Sequence, residues 1–450
     1  MPGAERKLRI CVIGAGAAGL CALRHLANEP ALFEFEAFEQ TDHIGGTWVY
    51  NERIGVNAKN QLPIHSSMYE NLRTNLPSVI MNFPDWRKMG NNEKSCISHS
   101  EVLSYLEDYT NHFDLRKYIT FNTSVETVRP IRSVQRADPA ISAVSLAWKI
   151  KIKNVLSCTV EEREFDAVFC CNGHFFEPNV PPIPGIQSFP GIVMHSHDYR
   201  KPQPFTGKTV VVLGAASSGA DIGMELTGYA RHVYLSHNNP RLIAALPANM
   251  TEVMGVTGVE GNRFILKDGT SVEADAFMYC TGYKYSFPFL DETCGITVDD
   301  NYVHPLYRHL ISVEHPTMCF IGIPLVVVPF PMFHIQKILS MFEVKYFIAL
   351  LKSNVRLPSK EVMLQDASCK SPLKRHAHRL ADNQWEYNDG LARDGGFETL
   401  PPFYKAGYSA WKIQRGRNLM HYKDAKFIVD EDGESVQIIP YDNTASVMSK

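Results

Sequence analysis

Gly14-Ala15-Gly16-Ala17-Ala18-Gly19 follows the apolar run Leu8–Ile13, and two hundred residues later Gly214-Ala215-Ala216-Ser217-Ser218-Gly219-Ala220-Asp221 follows Val210–Leu213. A short apolar strand, a glycine turn and a helix together open a βαβ unit. Gly14 allows a tight turn out of the strand, Gly16 lets the backbone approach a pyrophosphate, and Gly19 lets the helix pack close to the strand. The pyrophosphate then sits at a helix N-terminus, where unpaired N–H groups and the helix dipole favour an anion. One such turn binds one dinucleotide. Two predict two dinucleotides, most economically a flavin and a nicotinamide, and so a redox enzyme.

The surrounding pattern fits two such units. Ala17–Ala27 reads as the first helix and Leu32–Phe38 as the next strand, with Glu39 at its end, 20 residues after Gly19. A carboxylate there accepts hydrogen bonds from ribose hydroxyls. Ala220–Tyr229 reads as the second helix and His232–Ser236 as its following strand. Glu101–Phe113 carries Val102, Leu103, Leu106 and Tyr109 at helical spacing. Ala143–Ile152 and Val155–Val160 suggest a hairpin before a strand at Asp166–Cys171. Asp268-Gly269 marks a turn in a run of strands ending at Ala276–Cys280. Pro331–Leu351 reads as one long helix.

A chain of 450 residues has room for two or three domains. Its net charge of −3 gives no broad pull toward nucleic acid or an anionic membrane. Ten cysteines form no CxxC pair and no zinc-ligand spacing, which excludes a dithiol reductase and predicts reduced thiols. No apolar run approaches the ~20 residues that span a bilayer, so no membrane anchor is expected. The start of the chain leaves no room for a secretory apolar region. A cytoplasmic protein is expected, or a secreted one if a signal peptide was removed before residue 1.

Past Glu39 comes a second glycine-rich loop, Ile44-Gly45-Gly46-Thr47-Trp48. Later, Phe189-Pro190-Gly191-Ile192-Val193-Met194-His195-Ser196-His197-Asp198-Tyr199 fits FxGxxxHxxx[YF] at every fixed position. With these residues the chain resembles the flavin-containing monooxygenases, a family of class B flavoprotein monooxygenases. Phe277–Tyr283 resembles that family's ATGY linker, and Tyr69–Pro77 its LxTNxP segment.

The resemblance implies an α/β fold of two Rossmann-like domains, the NADP domain inserted in the FAD domain. Residues 1–174 would begin the FAD domain, 175–282 form the NADP domain, and 283–450 complete the FAD domain with C-terminal helices. Cofactor-binding positions would be Gly14, Gly16, Ala17, Ala18, Gly19, Glu39, Gln40, Gly46, Thr47, Trp48, Thr74 and Gln336, with Gly214, Ser217, Ser218, Gly219, Ser236, His237, Arg241, Thr281 and Gly282. Val326–Phe333 would lie beside the isoalloxazine, with a helix N-terminus facing the reduced flavin. His195 would link domains and perform no chemistry. Asn75 would be catalytic, a neutral amide that holds an oxygenated flavin without protonating it early.

Two departures concern the second turn. Ala216 stands where the middle glycine is usual, and its methyl would displace a pyrophosphate or demand a local adjustment. The next strand ends Tyr234-Leu235-Ser236-His237 with no acid. An acid there would favour NAD. Ser236, His237 and Arg241 offer donors for a 2′-phosphate, while Asn238 stands roughly where many relatives carry an arginine. NADPH is expected to be preferred and NADH tolerated.

The reaction so implied is NADPH- and O2-dependent oxygenation of an amine, alkaloid or sulfide through a C4a-hydroperoxyflavin. Short inserts resemble the insect branch, where pyrrolizidine alkaloids such as senecionine become N-oxides. The alternatives are a broad xenobiotic oxygenase, a Baeyer–Villiger monooxygenase, and a nucleotide-binding protein without turnover. The apolar residues after Phe342 offer a possible homodimer interface.

Overall fold

Leu8–Ile13 is buried from Ile10 onward and pairs in parallel with Phe33–Phe38 on one side and Ala167–Cys170 on the other. Strands buried on both faces read as continuous apolar runs, as this one does. Ile10 and Val12 point into one core and Cys11 and Ile13 into another. In the computed structural model, which describes residues 6–90, 94–132, 146–333, 343–352, 354–396 and 398–440, this strand lies inside a seven-stranded sheet. Its order is Leu306–Tyr307, Ile311–Ser312, Met318–Phe320, Ala167–Cys170, Leu8–Ile13, Phe33–Phe38, Ile119–Thr120.

Thr209–Leu213 repeats the arrangement in a five-stranded parallel sheet, ordered Met250–Val253, His232–Ser236, Thr209–Leu213, Ala276–Tyr279, Ile192–His195. Val210 and Val212 face one core there, and Val211 the other. The first sheet draws strands from both ends of the chain. The second takes all of its strands from residues 192–279. The fold is thus mixed α/β with two dinucleotide-binding domains.

The helices after the two turns run Ala17–Leu26 and Ser217–Leu226, the second starting three residues earlier than its pattern suggested. The expected hairpin is shifted. Leu146–Asn154 pairs with Val160–Phe165, and also with Thr123–Arg132, a strand the sequence reading missed. Val155–Thr159 is a turn because the Asn154 carboxamide oxygen accepts from Leu156 N and Ser157 N. Trp148 is fully buried beneath this layer, its indole N–H donating to Thr317 Oγ1 at 2.9 Å.

Of the long helix expected at Pro331–Leu351, the described parts are Pro329–Phe333 and Glu343–Leu351. Gln336 lies outside the described residues. Val344, Tyr346, Phe347 and Ile348 are buried in the chain's own main core, Phe347 edge-on to Phe169. These four residues are therefore used within the subunit.

A methyl at Gly19 would lie 1.9 Å from Gly14 O, and one at Gly219 1.7 Å from Gly214 O. Backbone on both sides leaves neither room to yield. Gly19→Ala should cost about 3 kcal/mol, at the upper end for overpacking, as measured by denaturant unfolding. An unchanged unfolding curve would show that this helix can shift.

His378 is buried, and its Nε2 accepts from Val303 N at 2.9 Å, so its Nδ1–H donates to His309 Nδ1, also 2.9 Å away. Burial pushes His378 down to about 3 and His309 down to about 4. Folding therefore favours the neutral rings. As pH falls from 6.5 toward 4 the unfolded chain takes up protons that the folded chain refuses. Stability should drop with acidification across that window and be flat with respect to these groups above pH 7. Denaturant midpoints at pH 5 and 7.5 test this; equal midpoints would contradict it.

Candidate dinucleotide sites

Gly14 turns the chain at φ +100°, and a side chain there would meet Cys171 O at 2.8 Å. The helix that follows has no side-chain cap and no acid in its first turn. Its N-terminal N–H groups are left for an outside anion. Across from it, a methyl at Gly16 would lie 3.6 Å from Gly46 Cα. The two glycine turns thus meet backbone to backbone and together form one rim of a cleft.

That cleft opens into a cavity of about 860 Å³. Gly14, Gly16, Ala17, Ala18, Glu39, Gln40, Gly46, Thr47 and Trp48 line it. Gly19 does not; it serves the helix–turn packing. Glu39 is buried. Its carboxylate accepts from Ala15 N at 2.9 Å, Thr41 N at 2.9 Å and Thr41 Oγ1 at 2.8 Å. It therefore fixes the glycine turn, with lone pairs left for a sugar.

The far end of the cavity is apolar, with Phe175, Phe176, Pro329, Phe330 and Phe333. His65 stacks on Phe176 with ring planes 2° apart. His174 lines this end too. Its ring is hydrogen-bonded to the Gly322 backbone, and burial pushes it down to about 4. Its buried Nε2 has no partner among the described residues. A long cleft with a glycine-walled anion site, a ribose carboxylate, an unsatisfied imidazole nitrogen and a flat apolar end fits a flavin dinucleotide. His174 closes the stretch Cys170–His174, which follows the strand Ala167–Cys170, whereas His65 carries no sequence motif that marks it.

The second turn repeats the first. Gly214 has φ +111°, and a methyl there would meet Cys280 O at 2.4 Å. Ala216 has φ −76° and ψ −161°, against −74° and −173° at Gly16. The expected local adjustment is absent, because this backbone conformation suits any residue. The helix again lacks a side-chain cap and early acids. Ser217 is exposed and Ser218 half-buried.

Ser236 is fully buried, and its hydroxyl donates to Met254 O at 2.9 Å. His237 Nε2 lies 2.9 Å from Glu252 Oε1. The strand end therefore does have an acid beside it, supplied by the neighbouring strand Met250–Val253 and invisible to a reading along one strand. Arg241 is exposed.

The signature motif is structural throughout. Gly191 leaves no space for a methyl beside Asp275 O, and Phe189 packs on Phe264. Tyr199 donates to Glu225 at 2.6 Å. His195 accepts from His197 N on Nδ1, so its Nε2–H donates to Gly282 O at 3.0 Å. Burial pushes it down to about 4, so it stays neutral. Thr281 and Gly282 also bond to Asn179, closing the linker.

Arg200, one residue past the motif, was not anticipated. It is buried, and its five N–H groups reach five backbone carbonyls: Asn51 at 2.6 Å, His197 at 2.7 Å, Tyr199 at 3.0 Å, Ser66 at 3.0 Å and Arg53 at 3.5 Å. Asn51, Arg53 and Ser66 belong to the segment that walls the large cavity. A lone arginine gives no signal in sequence.

Thr74 and Asn75 lie off the cavity wall. Thr74 is buried, with its N donating to Ile97 O and its Oγ1 accepting from Ile97 N. Asn75 is half-buried, its Oδ1 3.3 Å from Tyr422 Oη.

The model of flavin-binding monooxygenase-like proteins matches residues 7–245 and 240–391. "Flavin-containing monooxygenase FMO GS-OX-like 4" of Arabidopsis thaliana is 34% identical over 443 residues, covering 93% of this chain and 94% of that one. S-allyl-L-cysteine S-oxygenase from Allium sativum superposes with a TM-score of 0.80 at 32% identity, covering 95% and 97%. Tmm from Pelagibacter does so at 0.80 and 25%, covering 97% and 96%.

Arg200→Met leaves five carbonyls without their donor. It should destabilise the protein by on the order of 3 kcal/mol and speed flavin release. Arg200→Lys, with a point charge in place of the planar fork, should recover only part of this. Flavin fluorescence on dilution reads the release; an unchanged rate would show that the cavity wall stands without Arg200.

Proposed function

The chain belongs to the flavin-binding monooxygenase-like family, and we propose that it oxygenates a soft nitrogen or sulfur atom in a small, largely apolar molecule. It is a flavin monooxygenase that uses FAD and NADPH. We further assign FAD to the unit formed by residues 1–174 and 283–450, and NADPH to residues 175–282. One observation carries this reading: two uncapped helix N-termini at glycine turns of matching geometry, only the first packed against a second glycine-rich loop. All ten cysteines are free thiols, which suits a reducing compartment such as the cytoplasm. Among the described residues no helix is long and apolar enough to cross a membrane.

When bound, FAD supplies redox chemistry: it is reduced by NADPH and activates O2. The chain's own groups hold and enclose it. The N–H groups at Ala17 and Ala18 bind the pyrophosphate. Glu39 holds the turn and offers its remaining lone pairs to ribose hydroxyls. His174 Nε2 presents a polar contact in an otherwise apolar wall. Phe176, Phe330 and Phe333 exclude water, which strengthens every electrostatic interaction inside. The substrate brings its own lone pair, so no protein base is needed to activate it.

The nature of the substrate divides two readings. The Allium relative is named for S-oxygenation of S-allyl-L-cysteine, which favours a thioether. An alkaloid amine, with N-oxide as product, is the narrower proposal that the sequence suggested. NADPH is proposed to be preferred over NADH, though the Glu252 carboxylate beside His237 opposes a 2′-phosphate and narrows that preference.

Asn75 is proposed to act as a neutral amide near the oxygen chemistry. Thioethers, tertiary amines and a pyrrolizidine alkaloid should be assayed for oxygenated product against peroxide per NADPH consumed. Thioethers and amines should both be oxygenated. Asn75→Asp should still oxidise NADPH and release mostly peroxide. A fully coupled Asn75→Asp enzyme would remove Asn75 from the chemistry; absence of product from every class would overturn the reading.

A further inference from the structure

The segment Leu419–Asp424 lies where the two domains meet, in a polar cleft also lined by Tyr69, Arg73, Ala220 and Asp221. Tyr422 is buried in a small cluster with Ala220 and Ala244, both from the NADPH unit. Its neighbour Lys423 reaches Asp221 of the second unit's helix at 2.5 Å and Arg73 O at 2.9 Å. Arg73 pairs with Asp424 at 2.6 Å and donates to Cys96 O at 3.0 Å. Tyr69 also bonds to Asp221. The segment is therefore fastened to both units.

The Tyr422 hydroxyl points to Asn75 Oδ1. A phenol held protonated donates, and burial holds this one protonated by pushing it well above its ordinary range. The carboxamide oxygen is thus the end that Tyr422 occupies. The Asn75 amide nitrogen has no hydrogen-bond partner among the described residues.

We propose that Tyr422 is a positioning residue for Asn75: it fixes which way the carboxamide faces, so that Asn75 presents its NH2 group and not its oxygen. The distinction matters chemically. An NH2 group donates to an electron-rich oxygen, whereas a carbonyl oxygen repels it. Because the Tyr422 ring rests on Ala220, the orientation also depends on how the NADPH unit sits against the FAD unit. The inference rests on the reading of Asn75 given above.

The test is a double-mutant cycle with Tyr422→Phe, Asn75→Ala and the pair, read in two ways. Product and peroxide per NADPH are measured on the FAD-loaded enzymes, and unfolding midpoints on the same proteins. Tyr422→Phe should keep FAD, oxidise NADPH within about twofold of the parent, and release several-fold more peroxide. In the Asn75→Ala background it should not change coupling; the midpoint still reads the hydrogen bond between the Tyr422 hydroxyl and Arg415. If Asn75→Ala uncouples and Tyr422→Phe does not, Tyr422 is overturned and Asn75 stands. If Asn75→Ala stays coupled, the reading of Asn75 fails and this one with it. A double variant worse than Asn75→Ala by the full effect of Tyr422→Phe shows an independent route and overturns the proposal. Loss of FAD from Tyr422→Phe does so too, in favour of a packing role.

Discussion

Everything at the two cofactor sites depends on a helix pressed against a turn. At Gly14 and Gly19, and again at Gly214 and Gly219, the third residue of the helix lies so close to the turn carbonyl that not even a methyl fits. That contact sets where each helix begins. The start of the helix sets where its unpaired N–H groups point. The strands on either side, Leu8–Ile13 and Thr209–Leu213, are buried on both faces and cannot slide without exposing one core or the other. Packing thus fixes both anion sites, and at the first the Glu39 carboxylate adds a hydrogen bond from Ala15 N.

Holding two such units together falls to groups that have no chemistry of their own. Within the second unit, His195 stays neutral and joins its strand to Gly282, at the linker. Arg200 spends its whole guanidinium on carbonyls from both sides of the junction. A buried arginine without a close carboxylate is costly, and burial lowers its proton affinity. Five carbonyl partners offset that cost, and three of them, Asn51, Arg53 and Ser66, tie the cavity wall to the second unit. The signature motif is thus a fastening, and its specificity as a sequence marker reflects how little a fastening tolerates change.

Elements whose residues interact locally were legible. Leu8–Ile13, its turn and its helix follow from composition and spacing, and Glu39 from a fixed offset. Partners brought in from distant strands were not. Glu252 reaches His237 from the neighbouring strand, and Tyr422 reaches Asn75 across 347 residues. Thr123–Arg132 was missed because a bulge after Val125 breaks its alternation. Ser236 was read as a donor from its place at a strand end, yet its hydroxyl is taken up by Met254. The residue type was right for a phosphate, but its surroundings leave it none to reach.

The substitution of Ala216 for the expected glycine separates the two sites physically. At the first, Gly16 packs against Gly46, and a methyl on Gly46 would come within 3.0 Å of Gly16 Cα. At the second, Ala216 adopts the same backbone angles but is exposed. Its methyl costs only a little approach distance. A turn braced from outside by a second loop resists displacement, since that loop must move with it. A turn with an exposed flank adjusts alone. Two turns of one backbone geometry thus differ in how much of the surrounding chain holds them in place.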